Sequence, residues 1–352
     1  MLLSALICIF KHIFIGKSAK YLVFSFLFLS EVTFSQDIHF SQFDGSLLNI
    51  TPAFTGMFNG DFRASAIYRS QWQSVPVPYS TLSMSGEALL KPARLEKDMV
   101  GVGLTFNNDV AGDARYGTTQ IYASGSYIHA LRKDSSLFMS MGANLGFCRV
   151  GFDYDKMTFD NQFDGTQYAS SAPTGERFNL TNYNYGDINL GAAVQYRHKY
   201  KHFFTIGTGL MHLNNPVITY QGNQLSRLDF KTINYIKYSV ILNLKVDLIV
   251  DAMINGQGKY LEIMPHSSVK YYFNRDNNKA ILGGLSLRAR DAVILRLGYH
   301  DKMLQSGIAY DINVSNFTPA TNRRGAFELF VIYVFKKEKT YTVKKRVCPV
   351  FM

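Results

Sequence analysis

The chain has 352 residues, 47% hydrophobic and 14% aromatic, with 27 glycines, 22 tyrosines and a formal net charge of +11. Beyond the first 35 residues no apolar run approaches the ~18 residues of a membrane helix, which excludes a helical membrane protein. The basic excess comes without a cluster of basic and aromatic residues, which excludes nucleic acid as a partner and leaves the charge to a lumen and its rims.

Lys11, His12, Lys17 and Lys20 precede an apolar core over 21–29, with small residues at Thr33 and Ser35. That order is a secretory signal over 1–35, and its core is too short for an anchoring span. The segment 36–60 that follows has no alternation. Pro52 removes a ladder donor and Gly56 invites a turn, so it is expected to plug the periplasmic mouth or cross a lumen.

From residue 61 onward the chain alternates. In 62–71, Phe62, Ala64, Ala66 and Tyr68 fall on one parity and Arg63, Ser65 and Arg69 on the other, before Trp72 and a loop over 73–80. Further strands are predicted over 81–90, 100–107, 118–130, 137–150, 187–197, 203–212, 235–251, 260–272, 280–288, 292–299, 304–313 and 326–335. The stretch 235–251 shows the rule best: Ile236, Tyr238, Val240, Leu242, Leu244, Val246 and Leu248 share one parity and Lys237, Ser239, Asn243, Lys245 and Asp247 the other. Read as one strand it is roughly three times the ordinary 5 to 6 residues, which suits a bilayer better than a soluble sandwich. The fold expected is all-β, an antiparallel up-and-down transmembrane β-barrel over 61–336 that follows an N-terminal signal peptide, with a basic periplasmic tail over 337–352. Thirteen strands are visible in this reading, and single-chain bacterial barrels usually have an even number, so about 14 are expected. The missing one lies either at 217–220 or in a split of 235–251.

The connections at 91–97, 132–136 and 198–201 are short or charged and are assigned to the periplasm. Those at 152–185, 214–232 and 274–278 alternate with them and are assigned to the outside. The longest, 152–185, has no periodicity, and a loop of that kind usually has a task. The inward parity carries charge of both signs: Arg63, Arg69, Glu87, Asp187, Arg197, Lys237, Lys245, Asp247, Glu262, Lys270, Arg288, Arg296, Asp311 and Glu328. A cross-barrel ion-pair network fits that set better than a substrate-selective pore. From it Arg63, Arg69, Glu87, Arg197, Arg288, Asp311 and Glu328, together with Trp72, are the candidate lumen or partner-binding residues.

Catalytic and metal signatures are absent: there is no GxSxG and no HExxH, and the histidines never fall at ligand spacing. Asp153, Asp155, Asp160, Asp164 and Gly165 miss the spacing of a calcium loop. No enzyme, cofactor or metal is expected. Cys148, on the inward parity, and Cys348, in the tail, could form a disulfide in an oxidising compartment, but they are expected near opposite ends of the barrel.

Several stretches carry a family resemblance. QDIHFSQF, PAFTGMFNGDFRASAIYRSQW and PYSTLSMSGE at the start, GFDYDKMTFDNQFDG and YGDINLGAAVQY in the middle, and LSLRARDAVI, GIAYDINVS and RRGAFELFVIYVF at the end resemble the PorP/SprF family of outer-membrane proteins of the type IX secretion system. The likeness spans 36–351, with Ile50-Thr51 before Pro52 where the family usually carries Leu-Asn. The resemblance implies an outer-membrane accessory barrel that assists secretion or surface attachment of particular cargo proteins or, in gliding relatives, adhesins. It implies outer-membrane lipid and the periplasmic and outer-membrane components of the system as partners. A general solute channel is the alternative, and an outer-membrane hydrolase lacks its triad.

Overall fold

The computed structural model describes residues 37–72, 77–95, 97–176, 180–219, 226–315 and 318–337. The signal expected at 1–35, Cys348 and all but the first residue of the expected tail lie outside them. The strands are β1 (Phe62–Gln71), β2 (Tyr79–Leu90), β3 (Met99–Ala111), β4 (Tyr116–Ala130), β5 (Leu137–Gly151), β6 (Asn182–His198), β7 (His202–Met211), β8 (Val217–Ile218), β9 (Ser226–Arg227), β10 (Lys231–Ile241), β11 (Val246–Gln257), β12 (Tyr260–Asn274), β13 (Lys279–Arg288), β14 (Ala292–Asp301), β15 (Leu304–Asn313) and β16 (Arg324–Phe335). Fourteen of them close an antiparallel barrel in chain order, β16 pairing with β1 over Phe62–Gln71, while β8 and β9 form a separate two-stranded sheet. Closure leaves no open edge within the wall, the condition a sheet must meet in lipid. No helix among the described residues is long and apolar enough to cross a membrane.

Period-2 patterning decides which face meets lipid. Along β12 the burial alternates residue by residue, with Glu262, Met264, His266, Ser268 and Lys270 buried and Leu261, Ile263, Val269 and Tyr271 exposed. Leu104, Leu145 and Leu297 are 62%, 64% and 62% exposed on the same outer face. An apolar belt outside and polar groups inside is the pattern of a barrel whose solvent is the bilayer.

The stretch expected as one strand over 235–251 is two. β10 and β11 are a hairpin with Val240 opposite Leu248 and Lys237 opposite Asp251. The turn lies at 242–245, where Asn243 Oδ1 accepts from Lys245 N at 2.8 Å and Leu242 N donates to Val246 O at 3.0 Å. The fourteenth strand is this split, and the candidate at 217–220 is instead β8. Adding one strand also moves the connection at 274–278 to the other end: Arg275 Nε donates to Leu244 O at 2.7 Å, so it lies beside the turn at 242–245. Lys245, expected inside, is exposed in that turn.

One pair of neighbours is unequal. β5 holds β6 from Asn182 onward, whereas β7 pairs with β6 only over Leu190–His198. His212, with φ 58°, and Asn215, with φ 38°, turn the chain out of the ladder just after β7.

Candidate functional site

Eight strands close a barrel that their own side chains can fill, and fourteen leave more room than side chains occupy. Here residues 38–61 take that room. They form no strand; three short 3-10 turns, Phe43–Gly45, Leu47–Asn49 and Pro52–Phe54, fold them across the lumen. Ser41, Gln42, Thr51, Ala53 and Thr55 have no accessible surface at all.

The first half of this plug is held by charge. Glu328 on β16 accepts the backbone N–H of Ser41 at 2.6 Å and of Gln42 at 2.8 Å, and its third donor is Arg69 Nη1 at 2.5 Å. Ser41 Oγ donates to Asp311 Oδ2 at 2.7 Å and accepts from Arg69 Nη1 at 2.7 Å and Arg288 Nη2 at 2.6 Å. Arg288 also pairs with Asp311, Glu262 and Asp291, each at 3.1 Å. Two guanidiniums and two buried carboxylates thus converge on one serine, with Glu262 buried behind Arg288. Such a cluster is worth less in net stability than in position, since its Coulomb gain is set against desolvation, but removing one member costs about 3 to 5 kcal/mol. Lower down, Arg296 Nη2 donates to Asp44 Oδ1 at 2.6 Å while Arg296 Nη1 lies 3.0 Å from His266, itself 2.5 Å from Asp251.

The second half is held by shape and by backbone carbonyls. Thr51 Oγ1 donates to Thr208 O at 2.8 Å, Ser140 Oγ to Ala53 O at 2.7 Å and Ser126 Oγ to Thr55 O at 2.5 Å. Asn49 Nδ2 donates to Ser83 Oγ at 2.9 Å and its Oδ1 accepts from Asn107 Nδ2 at 2.9 Å. Phe54 and Phe43 meet Tyr235 edge-on, with ring centroids 5.6 and 5.8 Å apart, inside an apolar cluster that includes Ile50, Met211, Ile233, Met253 and Met264. The wall comes close enough here to require glycine: a Cβ at Gly142 would lie 2.4 Å from Pro52 O, and one at Gly191 1.9 Å from Thr51 Oγ1. At the last residues of the plug, Gly56 N donates to Glu87 Oε2 and Arg63 Nε to Glu87 Oε1, both at 2.7 Å.

The rim at which β1 begins carries two carboxylates with altered acidity. Asp61 is held below the usual carboxylate range, chiefly by the N–H of Lys337, which donates to it at 2.7 Å. Asp98 is held down to about 2 by the Tyr127 hydroxyl, the N–H of Ala130 and the His129 ring.

Of the predicted residues, Arg69, Arg288, Asp311 and Glu328 meet in one cluster and Arg63 pairs with Glu87. Trp72 and Arg197 join neither. Trp72 lies just past the C-terminal end of β1, its backbone N–H on Gly325 O at 2.7 Å and its ring against Tyr79. Arg197 lies at the opposite rim over the Tyr200 ring, 4.9 Å from its centroid. Sequence reasoning did not single out Ser41, Gln42, Asp44 or Asp251. Asp251 shares the inward parity of Asp247 and could have been found by it; the plug residues obey no period. Cys148 is buried on the inner wall, 3.6 Å from Tyr122 Oη, which donates to Asp187 Oδ2 at 2.9 Å.

Comparison with known proteins gives a family and a set of folds. The sequence model described as type IX secretion system membrane protein PorP/SprF matches residues 32–333. Among solved structures, the chain is similar to the toluene transporter TbuX of Ralstonia pickettii (10% identity over 80% of this chain and 91% of that one, TM-score 0.47). It is similar also to a FadL homologue of Pseudomonas aeruginosa (8%, 81% and 93%, 0.48). A third is the translocator domain of the autotransporter NalP from Neisseria meningitidis (11%, 84% and 96%, 0.41). No curated protein matches.

Proposed function

We propose, from the premise that this chain belongs to the PorP/SprF family of type IX secretion system membrane proteins and resides in the outer membrane, that it is an accessory barrel of that system: it assists the secretion or surface attachment of particular cargo proteins and conducts no solute. The observation that carries this is the filled lumen. Backbone N–H groups of the plug end on Glu328, and its carbonyls on Ser126 and Ser140. Thr51 Oγ1 reaches Thr208 O on β7, which lies diametrically across the ring from β16, so the plug spans the interior. A barrel packed in this way has its outward surfaces left for work: the loops of the outer rim, the lipid face, and the periplasmic rim at Asp61 and Asp98. Neither an enzymatic step nor a cofactor belongs to this reading. The charged residues Arg63, Arg69, Glu87, Arg288, Asp311 and Glu328 hold the plug, so a partner meets the rims and not these side chains.

Two measurements test it. In a planar bilayer the purified chain should give no steady ion current, and open-channel steps of porin size would restore the solute-channel reading. A strain lacking the chain should lose particular proteins from its surface while its general secretion continues. An unchanged surface proteome would refute the accessory role.

A further inference from the structure

The unequal partners of β6 leave a short open ladder above the outer rim. Thr181 O accepts from Phe152 N, on the β5 side. Because backbone groups alternate along a strand, odd positions of β6 face β5 and even positions face away from it. Those even positions are met by β7 only as far as Leu190. For the next turn of the ladder a side chain substitutes: Asn214 Nδ2 donates to Gly186 O at 2.7 Å, and Asn214 Oδ1 accepts from Ile188 N at 3.2 Å. Leu213 N completes Ile188 by donating to its carbonyl at 3.0 Å. Beyond this point the N–H of Gly186 and the N–H and C=O of Asn184 and Asn182 have no ladder partner among the described residues, and β8, the nearest strand, pairs only with β9.

We propose that this edge, residues 182–186 of β6, takes up an extended segment of a secreted partner as one added strand. Natural edges are blunted by charge, proline or a bulge. This one, Asn182-Tyr183-Asn184-Tyr185-Gly186, has none of these, and it pairs with β5 in unbroken register. A row of alternating donors and acceptors at strand spacing is matched by a backbone in β conformation and by no helix or compact loop, which fixes the occupant as an extended peptide. Its side chains are sorted by the two faces: Tyr183 and Tyr185 stack with centroids 6.3 Å apart on one, and the exposed Asn182 and Asn184 lie on the other. The edge belongs to the same end of the barrel as the connection between β5 and β6. The proposal rests on the accessory reading above and adds the surface and the mode of contact.

Proline at position 184 tests it, because the N–H that Asn184→Pro removes faces away from β5, and edge strands tolerate proline there. Full-length protein is expressed in its own host as wild type, Asn184→Pro and Asn184→Ala, and each is checked for the heat-modifiable migration of a closed barrel. The probe is the set of surface proteins lost from the deletion strain. With Asn184→Pro their surface level should fall at least about tenfold, as expected when a ladder acceptor is left unsatisfied, while Asn184→Ala restores them. Full restoration by a folded Asn184→Pro barrel overturns the edge proposal and leaves the accessory reading standing. A deletion strain with an unchanged surface refutes the accessory reading itself. Loss with both variants would place the contact on the Asn184 side chain and also overturn strand addition.

Discussion

Gly142→Ala strikes the plug and spares the wall. The added methyl points inward from β5 and would lie 2.4 Å from Pro52 O and 2.7 Å from Ala53 N. Both are backbone atoms in a 3-10 turn and cannot rotate away, so the turn must back off. Overpacking of this kind costs about 1 to 3 kcal/mol. Withdrawal also stretches the bond from Ser140 Oγ to Ala53 O, which nets about 1 kcal/mol. A total of about 2 to 4 kcal/mol, at 1.4 kcal/mol per decade, predicts that local opening of the turn becomes about 30- to 700-fold more frequent. Amide hydrogen exchange followed by mass spectrometry reads this directly at Phe54, Thr55 and Met57, whose N–H groups donate to Thr51 O, Pro52 O and Phe54 O. The β5 and β6 amides are the internal control and should be unchanged. Exchange in the turn as slow as in the wild type would refute the close-packing argument. Equal acceleration in β5 and β6 would show that plug and wall open as one unit. Gly191→Ala should act alike, and the double variant should cost less than the sum, because Gly142 and Gly191 are paired across β5 and β6 and press on the same turn.

Leu145→Arg puts a cation on the lipid face of β5 at a position 64% exposed, costing about 2 to 4 kcal/mol near the bilayer midplane, and should deplete the heat-modifiable form, whereas Asn243→Arg in the exposed turn should not. Asp98 is depressed from 3.8 to about 2, so the anchorage it gives to the turn before β3 is complete above pH 3.8 and is lost as pH falls through about 2; exchange at Ala130 N–H should stay slow at pH 4 and quicken near pH 2, and Asp98→Asn should abolish that pH dependence. A protease site inserted within 166–176, in the long connection between β5 and β6, should be cut on intact cells, and cutting only after permeabilisation would invert the orientation of the barrel.

The lipid and lumen faces were legible because a pleat has period 2 and a bilayer demands an apolar outer row, so Arg69, Glu87, Asp311 and Glu328 could be placed inside from parity alone. The hairpin of β10 and β11 was legible only as one of two places for the fourteenth strand. Its turn, Leu242-Asn243-Leu244-Lys245, has no glycine or proline and is four residues long, an even number that carries the alternation straight through. Missing that turn displaced the connection at 274–278 to the wrong end. Arg197 has inward parity yet misses the charge cluster, since parity gives a face and not a height along the strand. Trp72 was singled out at a strand end, where the left-handed φ of 57° takes it out of the alternation altogether. The plug was the hardest part to read: its residues are fixed by contacts with partners up to 287 positions away, and no local periodicity encodes them.

That separation has a consequence for assembly. Ser41 and Gln42, near the beginning of the chain, are gripped by Glu328 in its last described strand, and the two strands that finally zip the cylinder, β1 and β16, bracket the same contact at Arg69 and Glu328. The plug lies across the lumen and is continuous with β1 through Asp61, and its grip on Glu328 requires β16 to be in place beside β1. Sealing the cylinder and gripping its stopper therefore draw on the same residue of β16, and both carry the loop-closure entropy of nearly the whole chain. A chain stalled before β16 would present an open sheet with a loose leading segment, a species with two unsatisfied edges for a folding catalyst to hold.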